Sequence, residues 1–416
     1  MAEIFDNEYL HKALKYYYGH EQFRPGQEKV INCILDDRNV LAVFPTGAGK
    51  SICFQLPALL LPGVTLVISP LVSLMKDQTE KLKLSGINAA YLDGCMCRNE
   101  YGRILHSVRS GECKILYVVP ERLRNEIFRN FIRQMHVSFL AVDEAHCVSR
   151  WGHTFREDYG NIPDFIKILP VKPRLAAFTA TATEAVCKDI LEALDFKNSQ
   201  VVSTGFDREN LFFSVERAAD KTRALLNFLE KRKEQNGIVY CGTRAKVGEV
   251  ADLLRLRGYT ALRYHAGLTA EERRENQKFF TEKKAVIMVA TNAFGMGIDK
   301  ADVRFVVHYN MPKDVESYYQ EAGRAGRDGE FAECHLLYNR QDIELNKYLI
   351  MKSGGASARR DYELQLLHVM SDYCNTSGCL RNFLLRYFGD AVPGDCKNCG
   401  NCANNYSSGW RRFLNI

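Results

Sequence analysis

Phe44-Pro45-Thr46-Gly47-Ala48-Gly49-Lys50-Ser51 is the stretch on which the reading of the whole chain turns. It follows an apolar run, Asn39-Val40-Leu41-Ala42-Val43, with the composition of a buried strand, and it precedes a helix-like run from Ser51 to Leu60. A strand that passes through a glycine-bearing turn into a helix points successive backbone N–H groups inward at the positive end of the helix dipole, which is how phosphate oxygens are cradled. Thr46, Gly47, Ala48 and Gly49 supply that cradle, Lys50 has the reach for β- and γ-phosphates, and the Ser51 hydroxyl suits a Mg²⁺ ligand. Phe44 stands where the general G-x-x-x-x-G-K-[ST] pattern has its first glycine. The spacing predicts a nucleoside triphosphate site at the end of a strand.

Working outward, 416 residues give room for two to three domains of about 150 residues each. Hydrophobic residues at 46% and charged residues at 25% are ordinary globular values. A net charge of +6 permits nucleic-acid binding without arguing for it. Met1 to Asp6 offer neither a basic segment nor an apolar core, so no secretory signal is read there. The most apolar stretch, Leu56 to Ile68, is broken by Pro57, Pro62 and Gly63, against a membrane span. Fourteen cysteines without such a signal point to reduced thiols and a metal rather than a disulfide framework. The chain reads as an intracellular protein with no membrane partner, in the cytoplasm or nucleoid of a bacterium or the nucleus of a eukaryote.

Up to residue 205, short apolar strands alternate with amphipathic helices: strands at Val40–Phe44, Val64–Ile68, Ile115–Val119, Phe139–Val142 and Leu175–Phe178, helices at Leu74–Leu84 and, after Thr183 as its cap, Glu184–Leu194. That alternation predicts a parallel sheet covered on both faces. A second series, 206–340, repeats the grammar with strands at Ile238–Tyr240, Ala285–Ala290 and Val303–His308 and a helix from Arg244 to Arg257 stopped by Gly258. From 341 to 403 the pattern is helical and then cysteine-rich, with Ser353 to Ser357 as a joint, and 404–416 form a short tail.

Asp143-Glu144-Ala145-His146 ends the Phe139–Val142 strand, where open α/β sheets bind their ligands. Asp143 is placed to hold Mg²⁺ and Glu144 to orient or deprotonate an attacking water. Gln320-Glu321-Ala322-Gly323-Arg324-Ala325-Gly326-Arg327 adds cations in the second half of the chain. An arginine delivered from outside the phosphate loop stabilises the charge that spreads over the γ-phosphoryl oxygens, which requires two domains to close on one nucleotide.

With these motifs the chain resembles the RecQ family of helicase superfamily 2 from about residue 10 to 403. The likeness extends to Tyr18-Gly19-His20, Phe23-Arg24-Pro25-Gly26-Gln27, Ser69-Pro70-Leu71, Thr179-Ala180-Thr181-Ala182 and Ala293-Phe294-Gly295-Met296-Gly297-Ile298. The resemblance implies two RecA-like α/β domains and a small helical zinc-binding domain. It implies ATP as nucleotide, with Gln27 reading the adenine edge, Arg24 packing beside the base and Arg327 as the arginine finger. Gln320 and Arg324 join Lys50, Asp143 and Glu144 in the implied catalytic set. The segment after the acidic box resembles the family's aromatic-rich loop, so that His146, Arg150, Trp151, His153, Phe155 and Arg156 are expected to couple single-stranded DNA to hydrolysis. Trp151 and Phe155 offer stacking faces there, and the two arginines offer phosphate or cation–π partners.

Cys396-x-x-Cys399-x-x-Cys402 packs three thiols into seven residues, with Cys379 seventeen positions earlier. Thiolates on tight turns can share one tetrahedral ion, and this spacing matches the RecQ zinc-binding domain. Zinc held by Cys379, Cys396, Cys399 and Cys402 is the expectation. Iron–sulfur ligation and unliganded thiols are the alternatives, and Cys374 is a fifth nearby thiol. Cys33, Cys53 and Cys241 fall on apolar faces and read as core.

The resemblance implies an ATP-dependent helicase that moves 3′ to 5′ along single-stranded DNA and acts on tailed or forked duplexes in repair or recombination. Single-stranded DNA-binding protein is an implied partner and a monomer the implied state. An RNA helicase of related architecture and a non-catalytic nucleic-acid scaffold are the rivals. Many RecQ proteins continue into a winged-helix domain that grips duplex DNA; the residues after Cys402 are too few for one, so unwinding is expected to be weaker than translocation.

Overall fold

Short apolar strands separated by amphipathic helices can hide both faces of a sheet only by laying helices on each side of it. The chain does this twice, in units that divide between Gly205 and Phe206. The computed structural model describes residues 6–94, 96–149, 156–295, 300–352, 357–392 and 394–405.

In the first unit, β1 (Val40–Val43), β2 (Val64–Ile68), β3 (Ala89–Leu92), β4 (Ile115–Val118), β5 (Val137–Val142), β6 (Arg174–Thr179) and β7 (Gln200–Ser203) form one sheet in the order β3-β4-β2-β5-β6-β1-β7. Every pairing is parallel, and Val40 of β1 lies beside Ala176 on one side and Gln200 on the other. Val40, Ala42, Phe54, Phe139 and Phe178 are all buried in its core. The helix Glu184–Ala193 begins as expected, with the Thr183 hydroxyl accepting from Val186 N–H.

The second unit holds β8 (Leu211–Arg217), β9 (Asn236–Tyr240), β10 (Thr260–Tyr264), β11 (Val286–Ala290), β12 (Val303–His308) and β13 (Ala332–Tyr338), again parallel, in the order β10-β11-β9-β12-β13-β8. The helix Arg244–Leu256 stops where expected, with Gly258 at φ +83 beyond it. Helices Gln341–Lys352, Ser357–Asn375 and Leu380–Phe388 belong to this unit, and residues 353–356 of the expected joint lie outside the described residues. A buried ion pair fastens the first of these helices to the sheet: Lys221 Nζ lies 2.5 Å from Asp342 Oδ2 and donates to Tyr309 O at 2.8 Å. Among the described residues, no helix is long and apolar enough to cross a membrane.

One glycine is required by packing rather than by backbone angle. Gly237 of β9 sits opposite Phe305 of β12, and a methyl group there would overlap the Phe305 ring. Phe305 is fully buried, with Phe228 edge-on at 5.7 Å, so the ring has nowhere to retreat. Gly237→Ala is expected to cost about 1–3 kcal/mol, the usual cost of overpacking. The check is the denaturant midpoint of the second unit's transition, which should fall with an unchanged slope.

Candidate nucleotide site and zinc centre

β1 delivers the chain to the phosphate loop, and the helix Lys50–Leu60 carries it away. Gly47 and Gly49 hold left-handed φ values of +87 and +81. A Cβ on Gly49 would also sit 2.5 Å from the Gln27 amide nitrogen. Lys50 Nζ donates to Phe44 O at 3.0 Å, curling over the loop, and Ser51 follows in the first helical turn.

Arg24 and Gln27, expected beside a base, lie against this loop. The Gln27 amide, 2% exposed, donates to Gly49 O at 2.9 Å and Ala48 O at 3.2 Å, and its oxygen accepts from Arg24 N–H at 2.8 Å. The Arg24 guanidinium donates to Gly47 O. The residues expected to read the base therefore hold the carbonyls of the residues expected to read the phosphates.

The acidic box follows β5. Asp143 N–H continues the sheet by donating to Ile68 O at 2.8 Å, and the carboxylate accepts from Glu144 N–H at 2.9 Å and the Ser69 hydroxyl at 3.2 Å. Tyr159, which carries no sequence signal for this role, donates its hydroxyl to Asp143 O at 2.9 Å. Glu144 takes a left-handed φ of +48, a conformation that non-glycine residues adopt at a cost. Burial first, and then the Glu144 charge, pushes the Asp143 carboxyl up to about 7, with Lys50 acting in the opposite sense. A buried carboxylate with a half-buried one next to it and Lys50 nearby is a donor set suited to a hard divalent cation.

This shift has a sign. The folded state keeps Asp143 protonated up to about 7, whereas its ordinary value is 3.8, so the folded state binds the extra proton and stability falls as pH rises between those values. Asp143→Asn is expected to remove that loss. In nucleotide-free and Mg²⁺-free buffer, its melting temperature should exceed the parent's by more at pH 8 than at pH 5.

His146 is 2% exposed, so any part it plays in coupling runs through its neighbours and not through direct contact with DNA. Its Nδ1 lies 3.0 Å from Thr179 Oγ1 and 3.3 Å from Glu144 Oε2. The Thr179 hydroxyl spends its proton on Thr181 O at 3.1 Å, so it accepts from the ring, and Nδ1 carries the imidazole proton. Burial, with Lys50 and Arg156 nearby, lowers His146 to about 3 and keeps it neutral. Arg156 donates to Pro70 O at 3.1 Å. Arg150, Trp151, His153 and Phe155 lie outside the described residues.

In the second unit, the helix Val315–Ala322 carries Gln320, half-buried, and leads into the arginine loop. Arg324 is only 5% exposed and donates to Gly295 O, while Arg327 is half-buried and the more accessible of the two. Glu321 accepts from the fully buried His308 at 2.9 Å.

The four expected cysteines converge. Their sulfurs all lie within 4.8 Å of one another, with Cys396–Cys402 and Cys379–Cys399 each at 3.9 Å. A tetrahedral ion with Zn–S bonds of about 2.3 Å sets its sulfurs about 3.8 Å apart, so the arrangement fits zinc. Cys379 caps the helix Leu380–Phe388, its sulfur accepting from Asn382 N–H, and Lys397 takes a left-handed φ of +54 in the turn between the other ligands. Cys374 is buried in the helix Ser357–Asn375 and stands outside this group. Cys33, Cys53 and Cys241 are buried, as expected for core residues.

Three family models match in chain order: DEAD/DEAH box helicase over residues 24–190, helicase conserved C-terminal domain over 220–329, and RecQ zinc-binding over 340–403. A phosphate loop and acidic box on one RecA-like sheet, with an arginine motif on a second, define the core of a helicase. The "ATP-dependent DNA helicase RecQ" of Bacillus subtilis is 44% identical over 95% of this chain and 67% of its own length. That of Haemophilus influenzae is 40% identical over 97% and 65%. The chain belongs to the RecQ family, and its cysteine cluster is that family's zinc-binding module. Against these two relatives and a third from Pasteurella multocida, it spans between 61% and 67% of the relative's length. A "putative ATP-dependent RNA helicase" of Acanthamoeba polyphaga mimivirus is 38% identical over 94% of this chain and 72% of its own. Among solved structures, the Mycobacterium smegmatis helicase Lhr bound to ssDNA and AMP-PNP matches with a TM-score of 0.63 at 19% identity, over 82% of this chain and 49% of that one, a likeness of fold.

Proposed function

We propose that this chain is the ATP-driven motor of a RecQ-type DNA helicase, moving 3′ to 5′ along single-stranded DNA and opening tailed or forked duplexes in repair or recombination. The observation that carries this reading is the completeness of the catalytic set. Lys50, Ser51, Asp143 and Glu144 follow strands β1 and β5 at one end of the first sheet, and in the other unit Gln320 lies in the helix Val315–Ala322 with Arg327 in the loop beyond it. In this reading Lys50 leaves Phe44 O for the β- and γ-phosphates, Gln27 and Arg24 meet the adenine, and Glu144 takes the proton of the attacking water. Ser51 and Asp143 would hold Mg²⁺, which supplies charge neutralisation at the phosphates. Arg327 meets the charge that develops on the γ-phosphoryl group, and Gln320 and Arg324 keep its loop in place.

Closing and reopening two units around each nucleotide would shift two DNA-gripping surfaces relative to each other. The loop with Trp151 and Phe155 would report the presence of DNA to Glu144, since both follow the same strand in the chain. Zinc has a structural part in this reading. The chain acts as a monomer and meets single-stranded DNA-binding protein on its substrate.

The test is ATP turnover with no nucleic acid, with single-stranded DNA and with single-stranded RNA, alongside strand separation on duplexes tailed at either end. Stimulation by DNA and separation of 3′-tailed duplexes are expected. The name of the mimivirus relative favours RNA as the second reading, and stimulation by RNA alone would establish it.

A further inference from the structure

The chain leaves its first unit at Gly205 and enters the second at Phe206, and the residues from Phe206 to Leu211 are gripped from two directions. The zinc-binding module takes one side. The Phe206 ring stacks on Phe388 with centroids 4.4 Å apart, and Phe206 N–H donates to Asp390 Oδ2 at 2.5 Å. Arg381, on the helix that Cys379 caps, is 4% exposed. It pairs with Asp207 at 2.5 Å and donates to Arg208 O at 2.9 Å and Leu211 O at 2.6 Å.

The arginine loop takes the other side. Arg208 Nη2 donates to Gly326 O at 2.7 Å and Ala325 O at 3.2 Å. Asn210 Nδ2 donates to Gly326 O at 2.9 Å and Glu330 O at 2.8 Å. Arg208 Nε also donates to Asn210 Oδ1 at 3.4 Å, which orients the amide. Gly326 has φ +54, and a Cβ on it would stand 2.5 Å from Asn210 Nδ2, so the loop is built against that amide. Two of the carbonyls held in this way belong to the residues immediately before Arg327, and the third, Glu330 O, lies three residues after it.

We propose that Arg208 and Asn210 are positioning residues for Arg327, so that the first residues of the second unit, the zinc-binding module and the arginine loop move as one body during the ATP cycle. The inference rests on Arg327 acting on the γ-phosphoryl group. A peptide plane fixed at its carbonyls by two side chains cannot rotate freely, and the next residue inherits that orientation. A catalytic group displaced by about 1 Å can lose on the order of 10²-fold in rate. The zinc centre then contributes to hydrolysis at a distance, by holding the segment that holds the arginine.

The test compares Arg208→Ala, Asn210→Ala, Arg208→Lys, Arg327→Ala and the Arg208→Ala/Arg327→Ala double variant in the full chain, with DNA present. Turnover, KM for ATP, affinity for a fluorescent ATP analogue and bound zinc are measured for each. Arg208→Ala and Asn210→Ala are expected to lose about 10²-fold in turnover with KM, analogue affinity and zinc content unchanged. Arg208→Lys, which keeps one donor, should recover part of the loss. In the double variant the losses should not multiply, because Arg208 acts only through Arg327. If Arg208→Ala loses zinc or melts early, Asn210→Ala decides in its place. Turnover within twofold of the parent for Asn210→Ala and Arg208→Ala, or losses that multiply, overturns the inference and leaves Arg327 catalytic. Full turnover in Arg327→Ala would instead overturn the reading of the arginine itself.

Discussion

Lys50→Ala is expected to lower ATP turnover by at least about 10²-fold, the size of effect seen when one donor to a developing anion is removed. Its ammonium curls over the phosphate loop, 3.0 Å from Phe44 O, and alanine puts no donor in its place. Affinity for single-stranded DNA should stay within twofold, because in the proposed mechanism the lysine serves phosphates of the nucleotide and not of the nucleic acid. Turnover and DNA affinity measured on the same preparation check both halves, and near-normal turnover would remove the phosphate loop from the mechanism.

Cys399→Ser is expected to abolish zinc binding and to loosen the second unit well beyond the cluster. Structural zinc sites contribute apparent binding free energies of about 10–16 kcal/mol, and that energy is folding energy. Cys399 is fully buried and bridges Phe213 on β8, an edge strand, through the backbone. Loss of the ion therefore frees β8 on the side where it has no neighbouring strand. Metal analysis and limited proteolysis of the purified chain check this. Stoichiometric zinc in the parent, none in the variant, and new cleavage between β8 and the C-terminal helices are expected, whereas iron in the parent would reverse the assignment of the metal.

The features legible in the sequence are those whose chemistry is local. The phosphate loop, the acidic box, the arginine motif and the cysteine knuckle each occupy fewer than about ten consecutive residues and carry fixed residue types. The central strands were also legible, because burial on both faces makes them continuous apolar runs. Five strands were not. Four of these, β3, β7, β8 and β10, are the edges of the two sheets, where Val201 stays 44% exposed and Thr260 faces solvent. The fifth, β13, is interior but carries Glu333 and His335, which pair with Arg232 and with Ser214. Contacts that close over distance leave no local trace. Gln27 reaches Gly49, His146 reaches Thr179, Tyr159 reaches Asp143, and Arg208 reaches Gly326, all with ordinary residue types at unremarked spacings.

The position of β1 sets when the nucleotide site can first exist. Its residues emerge from the ribosome early, yet Val40 finds its neighbours only at Ala176 and Gln200. At roughly 5–20 residues per second, many seconds pass before both flanking strands have been made. Until then the phosphate loop lacks the sheet it springs from, although β2 and β5, which lead to Ser69 and Asp143, can already pair. A nascent chain halted before β7 should therefore fail to retain nucleotide, while one halted beyond it should succeed. Nucleotide capture thus marks completion of the first unit, and it comes before Arg324 and Arg327 of the second unit have been synthesised.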